Sequence, residues 1–396
     1  MEIIKANIRE YGMVIALVLI AILFQNLTNG LLFRPANIVN LVIQNSYILI
    51  LAIGMILVIL LGKVDLSVGS LAAFTGALSG IFIISWEWPL FIAVPAVLAV
   101  GALAGAWNGF WIAYKNIPFF VVTLAGMLVF RGLTMVVLEG QTITGFPPIF
   151  HNMAGGVIPD VLGGSGTSLN ITALVICLVV SLLFILAELR SRKVSSQYSM
   201  EMLPFPVFIA KIALVVFAIN LFGYWFASSR GMPNILILLI ALTLIYSFIA
   251  GNTVIGRHIY ATGGSEKAAE LSGIKVKRVN FLVFVNMGML AALAGLVFAA
   301  RLNAASPRAE AGFELQAIAA AFIGGASPNG GIGKITGAIT GAMVMGILNN
   351  GLSHMGIGAD IRLAITGLVL LAAIIFDVYA KSKAAKTSSQ TAEVAQ

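Results

Sequence analysis

Charge is what this chain has least of. Only 10% of its 396 residues are Asp, Glu, Lys or Arg, where a soluble domain carries roughly 25%. So few charges cannot cover a water-facing surface, which excludes a soluble enzyme and a nucleic-acid binder. Cysteine is nearly absent too. The single residue, Cys177, lies in an apolar run and excludes an internal disulfide, a secreted disulfide scaffold and a thiolate zinc or iron–sulfur site. A nucleotide-binding loop is also missing. Gly333-Lys334 resembles the end of a Walker motif, but Ile335 stands where Ser or Thr is required and Pro328 where the first glycine is required. If ATP drives this protein, the ATPase is a separate chain. What the chain has in quantity is apolar surface: 60% hydrophobic residues and a mean hydropathy of +1.04. Disorder needs the opposite composition. The expected fold class is an all-α polytopic membrane protein with no cofactor.

Runs long enough to approach the roughly 20 apolar residues of a membrane-crossing helix predict about twelve spans. They cover 11–27, 43–61, 66–84, 90–112, 119–138, 171–187, 207–226, 234–250, 281–300, 313–325, 335–348 and 363–379. The first is read as a retained span, because it is long for a signal peptide and lacks a clear small-residue cleavage site. With the N-terminus in the cytoplasm, about 17 of the 23 basic residues fall on the inner side. Every lysine lies there, whereas segment 139–170 has no Lys or Arg and falls outside. Segment 313–325 is short and alanine-rich. If it crosses, the basic tail Lys381–Lys386 is cytoplasmic; if it re-enters, the tail is external. The positive-inside rule favours crossing, with both termini inside. The +8 surplus is therefore an orientation signal. Residues 1–380 are expected to form one transmembrane domain, and 381–396 a disordered cytoplasmic tail. Trp86 and Trp88 at an outer boundary, and Trp107 and Trp111 at an inner one, suit aromatic belts.

Small residues four apart, at Gly76 and Gly80, at Gly101, Gly105 and Gly109, and at Gly333, Gly337 and Gly341, predict close helix packing. Two stretches predict one or two discontinuous helices. One is Gly62–Ser70, where Asp65 and Ser67 have helix-capping chemistry. The other is the glycine-rich Gly324–Lys334. Irregular backbone near a membrane needs protein or water to satisfy it and in transporters often borders the pathway, although tight cytoplasmic turns explain both stretches equally well. Thr75-Gly76-Ala77 and Thr340-Gly341-Ala342 hint at an internal repeat.

The most informative polar segment is 256–274. Ser265 suits an N-cap, Glu266 the first turn and Gly273 the position after the helix. Between them fits a helix of about two turns, too short to be stable alone and too polar to form its own core. It is expected to dock, either on the protein's own helices or in a cleft of a motor subunit. The acids Glu87, Glu139, Asp160, Glu188, Glu270, Asp360 and Asp377 and all three histidines map to ends or loops. Only Asp65, Glu314 and Arg131 lie near or within the bilayer, which is thin for ion coupling.

These residues carry a resemblance. Val64-Asp65-Leu66-Ser67-Val68-Gly69-Ser70 is similar to the signature of ribose/xylose-type sugar ABC permeases. So are Ala106-Trp107-Asn108-Gly109, Thr123-Leu124-Ala125-Gly126-Met127, Phe130-Arg131-Gly132, segment 256–274, Gln316-Ala317-Ile318-Ala319-Ala320 and Asn349-Asn350-Gly351. The likeness runs in order from about 34 to 377. An insertion at 188–231 makes the chain resemble the longer xylose and multiple-monosaccharide permeases. Lys63 stands where a glycine or acid is usual, Gln316 where Asp is common and Ser265 where Asn is common.

The resemblance implies a non-catalytic permease in a bacterial inner membrane, for xylose or several monosaccharides, working as two copies. An ATP-binding subunit with tandem domains would drive it, and a periplasmic sugar-binding protein would deliver substrate. Segment 256–274 would meet the ATPase through Arg257, Tyr260, Gly263, Glu266 and Ala268, and further through Ala269, Leu271, Ser272 and Gly273. The candidate pathway residues are Asp65, Ser67, Ser70, Asn108, Gln316 and Asn349. Each offers hydrogen bonds suited to hydroxyl groups, and each suits interhelical or capping bonds as well. An ion-coupled transporter, a passive channel and a branched-chain amino acid ABC permease stay open as alternatives.

Overall fold

The computed structural model describes residues 8–163, 169–198, 204–307, 312–372 and 374–375. The predicted tail, Asp377 and the basic residues of 381–386 lie outside them. The fold is almost wholly helical. Its order is α1 (Ile8–Leu27), α2 (Pro35–Leu60), α3 (Val68–Gly80), α4 (Leu90–Ala113), α5 (Phe119–Val137), α6 (Pro148–Gly155), α7 (Ile171–Gln197) and α8 (Phe205–Ala227). It continues with α9 (Asn234–Asn252), α10 (Val254–Gly264), α11 (Glu266–Leu271), α12 (Val276–Leu302), α13 (Phe313–Ile323) and α14 (Ile335–His354), then α15 over residues 359–372. Two-residue strands β1 (Ile143–Thr144) and β2 (Ala304–Ala305) pair antiparallel, Ile143 with Ala305 and Thr144 with Ala304.

Among the described residues, nine helices are long and apolar enough to cross a membrane. The chain is an all-α polytopic membrane protein. Each of the twelve predicted runs falls on a helix, with three differences in length. The apolar part of α1 is Gly12–Leu27, α13 has 11 residues, and 363–379 is described as helix only in part. At about 1.5 Å per residue, α13 spans roughly half of a 30 Å hydrocarbon core. The run at 66–84 is α3 followed by a π-helical turn, Ile81–Ser85.

Local sequence sets the boundaries. Pro35, Pro148 and Pro206 sit in the first turn of their helices, where a missing N–H costs nothing. Asn170 accepts from Ala173 N at 2.9 Å and caps α7. Asn303 ends α12 in the left-handed conformation, φ 54°.

Helix α2 is central. Of its most apolar window 83% is buried, against 6% for α8; α8 and its hairpin partner α7 therefore face outward. The two pack closely enough that a Cβ at Gly223 would overlap Cys177, and polar links run from Lys211 to Glu188 at 2.7 Å and from Asn220 to Ser181 at 2.9 Å. Much of segment 188–231, the insertion that the resemblance suggests, is one arm of this peripheral hairpin. Helix α12 packs against α3 and α4. A Cβ at Gly105 or Gly288 would overlap the facing backbone, the Phe284 and Gly101 carbonyl oxygens respectively. In lipid, where no hydrophobic force joins helices, that close approach is the source of association. At the other side of α2, Asn37 and Asn350 exchange reciprocal amide hydrogen bonds at 2.9 and 3.0 Å, and His354 Nε2 lies 2.8 Å from Asn37 Oδ1. Such bonds satisfy polar groups that lipid cannot.

Candidate functional site

Three separated stretches meet at the end of the molecule that carries Lys63 and Lys275. They are the turn after α2, the end of α10 and the glycine-rich turn 324–334. Helix α2 stops at Leu60 and its carbonyl accepts from Gly331 N at 2.9 Å. Gly263 closes against the same carbonyl so tightly that any Cβ would overlap it. Gly330 and Gly331, at φ +81° and +72°, give the turn a left-handed path that side chains disfavour. The Tyr260 hydroxyl donates to Gly333 O at 2.7 Å and ties α10 to the far side of the turn.

Helix α11 hangs from this junction. Ser265 Oγ accepts from Ala268 N at 3.3 Å, and Gly273 follows the helix at φ +83°, as the sequence predicts. Glu266 pairs with Lys63 and also accepts from Asn280 Nδ2 at 3.3 Å. Desolvation pushes the Glu266 carboxyl upward, but the hydrogen bond and charge of Lys63 and the bond from Asn280 outweigh it and hold it below its usual range. Ala269 is buried against the protein. Arg257, Ala268, Ser272 and Gly273 are exposed, and Leu271 is 84% exposed. An apolar side chain that open, on a helix held from behind, is free to meet a partner.

The structure divides the candidate pathway residues into two groups. Asp65, Ser67, Ser70 and Asn108 are all buried. Asp65 Oδ1 accepts from Ser67 N at 2.9 Å and from Ser67 Oγ at 2.6 Å, and Asn108 Nδ2 donates to Ser67 Oγ at 2.9 Å. The Asp65 carboxylate thus closes a turn ahead of α3. Neither it nor Ser67 caps the helix by its side chain, because the Ser67 hydroxyl is donated back to Asp65. Burial pushes the Asp65 carboxyl up, partly offset by the two bonds from Ser67. Asn108 Oδ1 has no hydrogen-bond partner among the described residues, and a Cβ at Gly126 would come within 3.0 Å of it.

Gln316 and Asn349 line a cavity of about 510 Å³ at the opposite end, between α2, α12, α13, α14 and α15. Sequence reasoning missed its other polar groups. The Tyr47 hydroxyl donates to Gln316 Oε1 at 3.2 Å. The Arg301 guanidinium lies 5.0 Å over the Phe298 ring. Arg362 and Asp360 come from α15. The Nε atoms of Arg301 and Arg362 are buried with no partner among the described residues. Tyr47 packs against Phe298 and Phe313, with ring centroids 5.1 and 4.2 Å away. Aromatic faces beside amides and guanidinium groups make a site for a small polar ligand. Each arginine lies at the margin of an apolar run, so only the folded bundle shows that they converge. No group of three or more His, Cys, Asp or Glu among the described residues could hold a metal ion.

Comparison with known proteins follows the same line. The family model described as branched-chain amino acid transport system / permease component matches residues 37–374. The chain is 37% identical to the xylose transport system permease protein XylH of Haemophilus influenzae, covering 96% of this chain and 98% of that protein. It is 35% identical to XylH of Escherichia coli K12, covering 95% and 93%. It is 34% identical to the ribose import permease protein RbsC of Haemophilus influenzae, covering 95% of each. No solved structure matches. A match over nearly the whole bundle, from Asn37 of the first amide bridge to beyond the arginine-lined cavity, means that this chain belongs to the family of branched-chain amino acid transport system permease components.

Proposed function

We propose that the protein is the monosaccharide permease subunit of a bacterial ABC importer, a non-catalytic component of the inner membrane. The observation that carries this reading is α11. It is a short capped helix, anchored through Glu266 and Ala269, that presents Leu271 outward. Near-full-length similarity to xylose and ribose permeases supports a sugar as the cargo.

In this reading twelve crossings place both termini in the cytoplasm, and the tenth is completed by the half-length α13 together with the irregular backbone that follows it toward the 324–334 turn, sheltered between α14 and α2. Two copies form the pore, a tandem ATP-binding subunit receives the 256–274 segment, and a periplasmic binding protein delivers the sugar. The cavity of Gln316 and Asn349 is the outer entrance. Asp65, Ser67, Ser70 and Asn108 form the inner part of the pathway, beside the coupling junction. ATP binding on the partner moves α11, and α10 passes that motion to Leu60 and the 324–334 turn, so that the bundle changes which side is open. The sugar shifts this equilibrium only by binding one state better than the other.

The test is uptake in proteoliposomes. Xylose uptake should require the ATP-binding subunit, the binding protein and ATP. A branched-chain amino acid serves as the comparison cargo, because the family description names it. Uptake by this chain alone under a proton or sodium gradient rejects the proposal.

A further inference from the structure

Where α9 breaks into α10, the chain leaves a second cavity, about 620 Å³, walled by α9 and α10 and floored by α12. Its shape has a local cause. Thr253 is extended (φ −104°, ψ 162°). Its hydroxyl donates to Ile249 O at 2.7 Å and accepts from Gly256 N at 3.2 Å. The two helices therefore meet at a fixed corner instead of continuing as one rod, and a groove opens beneath it. The walls are apolar, with Ile249, Ile255 and Leu282 among them. Ile255 and Leu282 are 56% and 43% exposed, so the groove is open along its side.

One rim is different. Lys275, Arg278 and His258 line it together, and no acidic residue lines the cavity. Lys275 and Arg278 are exposed and stand at the start of α12, one turn from each other. Deeper in, Tyr246 donates to Asn286 Oδ1, while Asn286 Nδ2 is buried with no acceptor among the described residues. The groove is thus apolar along its length, cationic at its mouth and holds one unspent donor in its floor.

We propose that this groove binds an anionic phospholipid, with the phosphate at Lys275 and Arg278 and an acyl chain along Ile249, Ile255 and Leu282. The charge complementarity is one-sided, which selects an anionic headgroup over a zwitterionic one. A basic pocket between transmembrane helices at this boundary is a recurrent headgroup site. The lipid would brace α10 against α12, and α10 is the element that carries α11.

Native mass spectrometry of the full-length chain, titrated with phosphatidylglycerol or with phosphatidylcholine of the same acyl chains, tests this. Phosphatidylglycerol should bind at least tenfold more tightly. The double variant Lys275→Gln/Arg278→Gln should weaken it about 25-fold, at about fivefold for each basic residue near the surface. Leu282→Trp, which fills the groove and leaves the charges intact, should also weaken it, and Lys115→Gln should not. Equal binding of the two lipids, or unchanged phosphatidylglycerol binding in the double variant, overturns the proposal. So does efficient crosslinking of Ile255→Cys to the ATP-binding subunit or to a second copy in the assembled transporter, which would make the groove a protein interface.

Discussion

Lys63 and Glu266 are 203 residues apart in the chain and joined by a hydrogen-bonded ion pair. Lys63 stands in the turn that leads into Asp65 and Ser67, and Glu266 opens α11. The pair connects the turn after α2 to α11, and Asn280 of α12 completes it from the side.

Reversing one charge should weaken that connection. The Glu266 side chain is 51% exposed, so solvent screens the pair and its worth is about 0.2–1 kcal/mol. Lys63→Glu is expected to lower sugar-stimulated ATP hydrolysis several-fold, and Lys63→Glu with Glu266→Lys to restore most of it. The carboxyl of Glu266 is held below its usual value. Its contribution is therefore full above that usual value, near pH 4.5, and is lost as pH falls through the lower folded value. ATPase measurements on the single and double variants check this.

Two neighbouring glycines should behave differently. A Cβ at Gly263 would overlap the Leu60 carbonyl, whereas one at Gly264 meets nothing within 4 Å. Gly263→Ala should force α10 away from α2 at a cost of about 1–3 kcal/mol and uncouple ATP hydrolysis from uptake. Gly264→Ala should leave both intact. The ratio of sugar imported to ATP consumed is the readout.

In the cavity lined by Gln316 and Asn349, the Tyr47 hydroxyl donates to Gln316. Tyr47→Phe or Gln316→Ala removes one hydrogen bond worth about 0.5–1.5 kcal/mol. Each should raise the KM for uptake by roughly two- to tenfold and leave ATPase activity in the absence of sugar unchanged. An unchanged KM in both variants would remove the cavity from the pathway.

Asp160 organises the start of α7. Desolvation acts upward on its carboxyl, but bonds from Thr172 N and Oγ1, Gly163 N and Ile171 N prevail and hold it down at about 2. A depressed acid stabilises above its ordinary value and loses that effect as pH falls through the folded one. Protection of the Ile171 and Thr172 amides, taken as exchange relative to the intrinsic rate at each pH, should be full above about pH 4, from the ordinary value of 3.8, and fall as pH falls toward about 2. Asp160→Asn should show the reduced protection already at neutral pH.

Much of this arrangement was legible in the sequence. The apolar runs predict the helices because a lipid solvent permits little else, and Ser265, Glu266 and Gly273 predict α11 by capping chemistry. The ridge of Gly101, Gly105 and Gly109 predicts a close helix approach, and the structure shows its partner to be α12. What was not legible depends on contacts distant in sequence. Lys63 reads as a departure from the family pattern until Glu266 is placed beside it. Arg301 and Arg362 read as helix-end residues until α12 and α15 bring them to one cavity. Asp65 and Ser67 read as a helix cap, and the structure instead closes them on each other, because a serine hydroxyl can donate as well as accept.

The central claim is that α11 is the point of contact with a separate ATPase. A photo-crosslinking residue at Leu271, in the transporter assembled with its ATP-binding subunit, tests it most directly, with Leu103 on the outward face of α4, 70% exposed, as the comparison. A crosslink to the ATP-binding subunit is expected from position 271 and none from position 103. An assembly that imports sugar with ATP, yet gives no adduct from position 271, would contradict it.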